Sequence, residues 1–380
     1  MTEPSSTYSD SKKHFKILDA LRGVAAIVVV LFHVLEIYSN GDHTKQLINH
    51  GYLAVDFFFM LSGYVMAHAY DDRWGSMTLK DFFKRRLIRL HPMIILGMTL
   101  GALCFYLGES AVFPKIADTS FWQLMLVLLI GYTLIPLPTS MDIRGWNEMH
   151  PLNGPAWSLF FEYIANILHV LILRKLSKSI LSVLVFLAAV ALIHLAVTSS
   201  KGDIIGGWSV EPEQLRIGFT RLLFPYMAGM LLRRLIKPVD GKNTFLLSSL
   251  LLVLILAMPR IGGYDKLWLN GLYDSLVIIM VFPIIIYLGA IGEVKSKLSE
   301  KLCVLFGDIS YPIYIIHFPF TYAFYAWVTK NNIPIEQGTL VGIGLLIFTI
   351  ILSYASLKLY DEPVRKWLSK RFMRKTEIKG

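Results

Sequence analysis

The chain has 380 residues, of which 55% are apolar and only 17% charged, and its mean hydropathy is +0.55. An ordinary soluble domain carries about 25% charge, so a soluble fold of this length is excluded, together with disordered, collagen-like and disulfide-framed classes. The net charge of +10 makes the placement of the basic residues the next question.

Eleven apolar segments follow one another, at about 18–38, 52–70, 92–110, 121–138, 155–173, 179–197, 216–232, 245–258, 272–291, 303–328 and 338–357. A membrane-spanning helix needs about 20 mostly apolar residues, so most of these are candidates. The first has Arg22 near its start and no small-residue cleavage site after it, and it reads as a retained helix rather than a signal peptide. The longest polar stretch, 71–91, is too short for a soluble catalytic domain, so any chemistry lies in or at the membrane. Cys104 and Cys303 each sit in or beside an apolar run and read as packing residues, not as a disulfide or a metal site. Residues 1–16 read as a cytoplasmic N-terminal segment, 17–360 as one transmembrane domain and 361–380 as a basic cytoplasmic tail.

Twenty-seven of the 37 Lys and Arg residues cluster at 12–16, 73–89, 174–178, 233–242, 295–301 and 358–379. Basic loops stay in the cytoplasm, which puts both termini there and requires an even number of crossings. Three apolar segments lie between the clusters ending at Arg89 and beginning at Arg174, so one of them must not cross. The candidates are 92–110 and 121–138, both interrupted by Gly or Pro. The expectation is an all-α polytopic membrane protein of about ten transmembrane helices plus one re-entrant or short segment. Nucleic acid is not an expected partner, because the positive charge is spread over six short loops.

Ionisable residues inside spans are costly and usually serve a cavity or a partner. Arg22 and His33 lie eleven positions apart in ALRGVAAIVVVLFHVLEIY, about three helical turns and ~16 Å along the axis, and so share a face. Asp56, in YLAVDFFFMLSGYVM, is expected at the depth of His33 on an antiparallel neighbour, where a carboxylate would orient the imidazole. Ser62 and Gly63 follow, small enough to admit a helix or a ligand. Arg86 and Arg89 share a face in KRRLIRLHP, just before the third segment, and guanidinium forks suit phosphate. Glu162, in GPAWSLFFEY after Trp157 and Ser158, is expected near the level of His33 and needs a partner or a proton. FGDISYPIYIIHFP brings Ser310, Tyr311, Tyr314 and His317 together with two prolines, and DEPVRKW near the end reads as a polar helix terminator.

These blocks together resemble the acyltransferase-3 family of integral membrane acyltransferases. LDALRGVAAIVVVLFH carries an Arg-x10-His signature, and VDFFFMLSGY, RRLIRLHP, WSLFFE, GDISYPIYIIH and DEP follow in the family's order over nearly the whole chain. The extracytoplasmic hydrolase-like domain fused to some members is not expected. The resemblance implies transfer of an acyl group, usually acetyl, from cytosolic acyl-CoA to a hydroxyl of a carbohydrate or glycoside, in a bacterial inner membrane. It implies His33 as general base oriented by Asp56, with Glu162 holding the acceptor hydroxyl. It implies Arg22, Arg86 and Arg89 on the donor, with acetyl-CoA as donor substrate and no metal. Ser62, Gly63, Trp157, Tyr311 and His317 form the implied substrate-binding set, with Tyr311 or Trp157 as candidate oxyanion donor. A transporter or flippase of a lipid-linked sugar would share the spans and intramembrane charges, but it is marked by inverted repeats with matching broken helices, and none is seen.

Overall fold

Lipid offers a backbone no hydrogen-bond partners, so each apolar run must satisfy its own amides and carbonyls. The computed structural model, which describes residues 14–74, 77–236 and 241–373, shows the consequence: each of the eleven runs carries a helix, and no strand forms among the described residues. In order the helices are α1 (Lys16–Glu36), α2 (Ala54–Tyr70), α3 (Leu79–Leu103), α4 (Phe121–Thr133), α5 (Ala156–Leu171), α6 (Lys178–Thr198) and α7 (Pro212–Leu235). They continue as α8 (Phe245–Ala257), α9 (Leu267–Leu276), α10 (Phe282–Ile291), α11 (Lys297–Asn331), α12 (Ile335–Ser356) and α13 (Glu362–Phe372). Eight helical stretches, α9–α10 and α12–α13 each counting as one, are long and apolar enough to cross a membrane. The chain is an all-α polytopic membrane protein.

Two local features differ from the sequence expectation, each for a physical reason. The basic stretch before the third segment is not a loop: Thr78 caps α3 by accepting the Asp81 amide at 3.1 Å, and Arg86 and Arg89 lie within the helix. DEPVRKW does not stop its helix. Proline lacks an amide proton and crowds the carbonyl four residues back. A π turn over Leu357–Asp361 absorbs the conflict ahead of Pro363, and α13 runs on. The same device at Val277–Val281 precedes Pro283 and joins α9 to α10. The segments 1–16 and 361–380 fall partly outside the described residues, at 1–13 and 374–380.

Two parallel helix pairs form the core. Gly23 of α1 lies so close to α11 that a Cβ would stand 2.1 Å from the Phe306 carbonyl oxygen. Further along the same pair Arg22 meets Ser310, His33 meets His317 and Glu36 meets Tyr325. Partners rise together along both helices, so α1 and α11 are parallel. Helices α2 and α7 pair in the same way, with Asp56 on Arg221, Asp71 on Arg234, and Gly63 against the Tyr226 carbonyl.

Helix α4 is the short member of the doubtful trio, 13 residues or about 20 Å against a hydrocarbon core of about 30 Å. It packs back against the second half of α3, with Tyr132 and Thr99 hydroxyls 2.8 Å apart. The segments before and after it touch each other. Lys115 binds Asp142 at 3.1 Å, and the Trp146 indole donates to the Val112 carbonyl at 2.8 Å. The chain therefore leaves and returns at the same end of α3. Of the two suspects, 92–110 belongs to a 25-residue helix and 121–138 has the re-entrant geometry.

Candidate active site

The N-terminal parts of α1 and α3 and helix α13 line a cavity of about 1060 Å³ that carries several basic residues. Arg22 reaches into it from α1; its Nε donates to Ser310 Oγ at 2.9 Å and its Nη2 to Asp19 Oδ1 at 3.1 Å. Across the cavity, Arg86 Nη2 donates to Glu162 Oε1 at 2.5 Å, and Ser62 Oγ donates to the same oxygen at 3.3 Å. Arg365 of α13 is held by Asp361 at 3.0 Å. Arg89 lines the same space and, among the described residues, makes no ion pair with a carboxylate. An arginine left unmatched beside three others is the arrangement that takes up an anion with several phosphate oxygens. Tyr311 lines the wall, but its hydroxyl is committed to the Leu90 carbonyl at 2.6 Å.

Tyr314 also lines this cavity, its hydroxyl 2.7 Å from Ser158 Oγ, and the Phe58 ring stands edge-on to it at 5.5 Å. Neither His33 nor His317 lines the cavity. Both lie beyond Tyr314, towards the C-terminal ends of α1 and α11. His33 Nδ1 is 2.9 Å from Glu36 Oε2. A carboxylate only accepts, so Nδ1 carries a proton, and Nε2 is left on the side of the ring away from Glu36. The Tyr325 hydroxyl donates to Glu36 Oε2 at 2.9 Å and lies 2.5 Å from the His33 carbonyl oxygen, fixing the pair from α11. Their side chains are 19% and 39% exposed, so the dyad is open on one side.

Four expectations need correction. Asp56 does not orient His33. It is fully buried against Arg221, which donates from Nη2 to Asp56 Oδ2 at 2.7 Å and from Nε to both oxygens at 3.2 and 3.3 Å. A buried carboxylate takes the nearest desolvated cation, and the parallel pairing of α2 with α7 supplies one. Glu162 is not brought to His33: it binds Arg86 and Ser62 and lines the cavity, which His33 does not. Gly63 faces α7, where a Cβ would stand 2.0 Å from the Tyr226 carbonyl oxygen, so helix packing consumes it. Trp157 is buried against Phe161 with the Arg221 guanidinium 5.3 Å above its ring. It does not line this cavity.

Sequence reading overlooked Glu36, although its spacing of three from His33 is a helical-neighbour signal. It also overlooked the loop between α4 and α5. There Glu148 accepts the Tyr322 hydroxyl at 2.6 Å while Tyr322 takes the Gly154 amide at 3.1 Å. The Arg144 guanidinium lies 3.7 Å from the centre of the Tyr322 ring. Burial pushes the Glu148 carboxyl up to about 7, against the Tyr322 hydrogen bond and the Arg144 charge. Burial alone pushes His150 down to about 3. Among the described residues no group of three His, Cys, Asp or Glu side chains is placed to hold a metal ion.

Comparison with known proteins fits this geometry. A family model described as an acyltransferase domain matches residues 15–358. The chain is 23% identical over 384 aligned positions to the O-acetyltransferase OatA of Staphylococcus aureus strain NCTC 8325, covering 97% of this chain and 60% of that protein. It is 25% identical to a putative O-acetyltransferase of Staphylococcus aureus strain COL, over 92% of this chain and 57% of the relative. A protein of the picA locus of Rhizobium radiobacter is 34% identical over 163 residues, 40% of this chain and 80% of its own length. The chain thus spans about three fifths of the length of the O-acetyltransferases it matches. No solved structure matches.

Proposed function

The chain belongs to the acyltransferase-3 family of integral membrane acyltransferases, and from that premise we propose that it is a membrane-embedded O-acetyltransferase of the bacterial plasma membrane. It takes an acetyl group from acetyl-CoA on the basic, cytoplasmic side and delivers it to a hydroxyl of a carbohydrate or glycoside acceptor on the opposite side. The reading includes ten crossings, with the 121–138 segment re-entrant and both termini cytoplasmic.

The observation that carries it is the placement of the two chemistries. A cavity is lined by Arg22, Arg86, Arg89 and Arg365. A histidine oriented by Glu36 stands at the far end of the helix that carries Arg22. Arg89 has no carboxylate partner among the described residues and is the natural phosphate ligand of the set. Arg22, tied to Ser310, is placed to meet the thioester arm. Glu162 holds Arg86 in position and so shapes the donor site. His33 withdraws the proton of the acceptor hydroxyl, and Glu36 stabilises the imidazolium that forms. The O-acetyltransferase names of the full-length Staphylococcus relatives support the acyl group and the bond made.

The test is direct. Membranes containing the full chain are incubated with acetyl-CoA labelled in the acetyl carbons, and the labelled product is identified by mass spectrometry. Labelled O-acetyl glycan that disappears with His33→Ala supports the reading. Turnover unchanged in His33→Ala removes the base assignment, and no acceptor-dependent label at all removes the function.

A further inference from the structure

His33 does not reach the cavity in which the donor is proposed to bind, and the residue between them is His317. Its ring lies 5.6 Å from that of His33, nearly parallel at 23°, and 6.2 Å from that of Tyr314, a side chain that lines the cavity. His317 is fully buried. Its Nδ1 is 2.9 Å from the Ile313 carbonyl oxygen. A carbonyl only accepts, so the proton sits on Nδ1 and Nε2 holds the lone pair. That Nε2 is buried and has no hydrogen-bond partner. A buried polar nitrogen left bare is costly, and here its ring neighbours both that of His33 and that of Tyr314, a cavity-lining side chain.

We propose that His317 is an acyl carrier: it takes the acetyl group from the donor on one side and yields it to the acceptor on the other. This rests on the acetyl-transfer reading above and accounts for how two separated half-sites can act on one acyl group. Nε2 attacks the thioester carbonyl, an N–C bond forms, the C–S bond breaks and coenzyme A leaves as its thiolate, which takes a proton from cytosolic water. The product is an N-acetylimidazolium that keeps its Nδ1 proton on the Ile313 carbonyl. The acceptor hydroxyl then gives its proton to His33 Nε2. Its oxygen bonds the acetyl carbon, and the C–N bond breaks to restore neutral His317. The proton leaves through the exposed edge of the His33–Glu36 dyad. No oxidant or further reactant is needed. An acetylimidazole hydrolyses readily in water, and full burial of His317 supplies the protection it requires. Tyr314 must swing aside for the thioester to arrive, breaking its bond to Ser158.

A carrier makes the reaction separable into halves, so it can be tested without knowing the acceptor. Purified full-length protein in lipid nanodiscs is given acetyl-CoA and labelled coenzyme A with no acceptor present. The carrier predicts label moving into acetyl-CoA. It also predicts an acid-quenched, hydroxylamine-sensitive acetyl adduct that peptide mapping places on His317. His317→Gln, verified as folded by its melting curve and as binding acetyl-CoA by calorimetry, should lose exchange at least a hundredfold and lose the adduct. Exchange that persists in such a variant, or an adduct mapped to another residue, overturns the carrier. If His317→Gln does not fold, the adduct map of the unaltered protein still decides. Acetyl-CoA that binds without any exchange overturns the carrier and leaves the donor reading standing. Acetyl-CoA that does not bind overturns both.

Discussion

Replacing Asp56 by asparagine separates a structural carboxylate from a catalytic one. Arg221 makes five hydrogen bonds, three of them to Asp56, one to the Tyr52 carbonyl at 2.8 Å and one to the Gly206 carbonyl at 3.2 Å. Arg221 and Asp56 are 2% and 0% exposed, so solvent cannot compensate the guanidinium when its counter-charge goes. The substituted amide would keep one acceptor oxygen but no charge. Breaking a buried pair in this way costs about 3–5 kcal/mol. Removing both charges with Asp56→Asn and Arg221→Met together should cost less than Asp56→Asn alone, because no bare charge remains. The assay is equilibrium unfolding in mixed micelles for the two single variants, the double variant and the parent, with acetyl transfer measured on the same samples below the unfolding transition. The expected pattern is a large loss of stability in both single variants, partial recovery in the double, and residual transfer in proportion to the folded fraction. Asp56→Asn with parental stability and no transfer would refute this reasoning and return Asp56 to the catalytic group.

Four further outcomes follow from the same geometry. Glu36→Gln should cut the turnover rate about a hundredfold, within the usual range for general-base catalysis, with the KM for acetyl-CoA unchanged; an equal rise in that KM would place Glu36 in donor binding instead. Arg89→Ala should raise the KM for acetyl-CoA about tenfold, the loss of roughly one charge-assisted contact. It should leave the melting temperature little changed, since Arg89 makes no ion pair among the described residues and the pull of Asp19 and Asp361 is set against the repulsion of Arg22, Arg86 and Arg365. Gly63→Ala should destabilise the protein by about 1–3 kcal/mol through overpacking against the Tyr226 carbonyl, and unaltered unfolding would show that α2 and α7 are not so closely set. For Glu148, the folded protein holds a proton between the ordinary value of 4.5 and about 7 while the unfolded chain does not. Stability therefore falls as pH rises through that window, by about 3 kcal/mol in all. Glu148→Gln should flatten that slope, and an unchanged slope would show that Glu148 is not the group responsible.

The helices were legible because an apolar run in lipid must satisfy its own backbone hydrogen bonds, and each of the eleven runs carries one. Which short segment turns back was also half-legible: Gly131, Pro136 and Pro138 weaken 121–138, but only the contacts of Lys115 with Asp142 and of Val112 with Trp146 separate it from 92–110. Depth along one helix was legible for Arg22 and His33, whose shared face meets α11. Pairing between helices was not, because depth alone leaves several neighbours possible. Asp56 could have met His33 or Arg221, and the choice is made by Gly63 and Gly229, which let α2 and α7 close on each other. Nothing in the sequence announces that close approach as a preference for α7 over α1. Glu148 was hidden for a different reason: it lies in a loop, where a glutamate ordinarily meets water, and only the fold buries it beneath Tyr322.

The parallel pairing of α1 with α11 gives the Arg-x10-His spacing a physical meaning. Arg22 and His33 must both face α11, and eleven residues bring the helix round to nearly the same angle. On α11 the matching stations are Ser310 for Arg22, His317 for His33 and Tyr325 for Glu36. Each station joins one residue from each helix, so the proposed donor arm, carrier and base are held by a single pair of rods. The close approach at Gly23, where α1 meets the Phe306 carbonyl, fixes how those rods sit. A residue added between Arg22 and His33 would turn one of them about 100° away from α11, and no adjustment of side chains would bring both back. The spacing is therefore set by the reach between the two half-sites as much as by the chemistry of either residue.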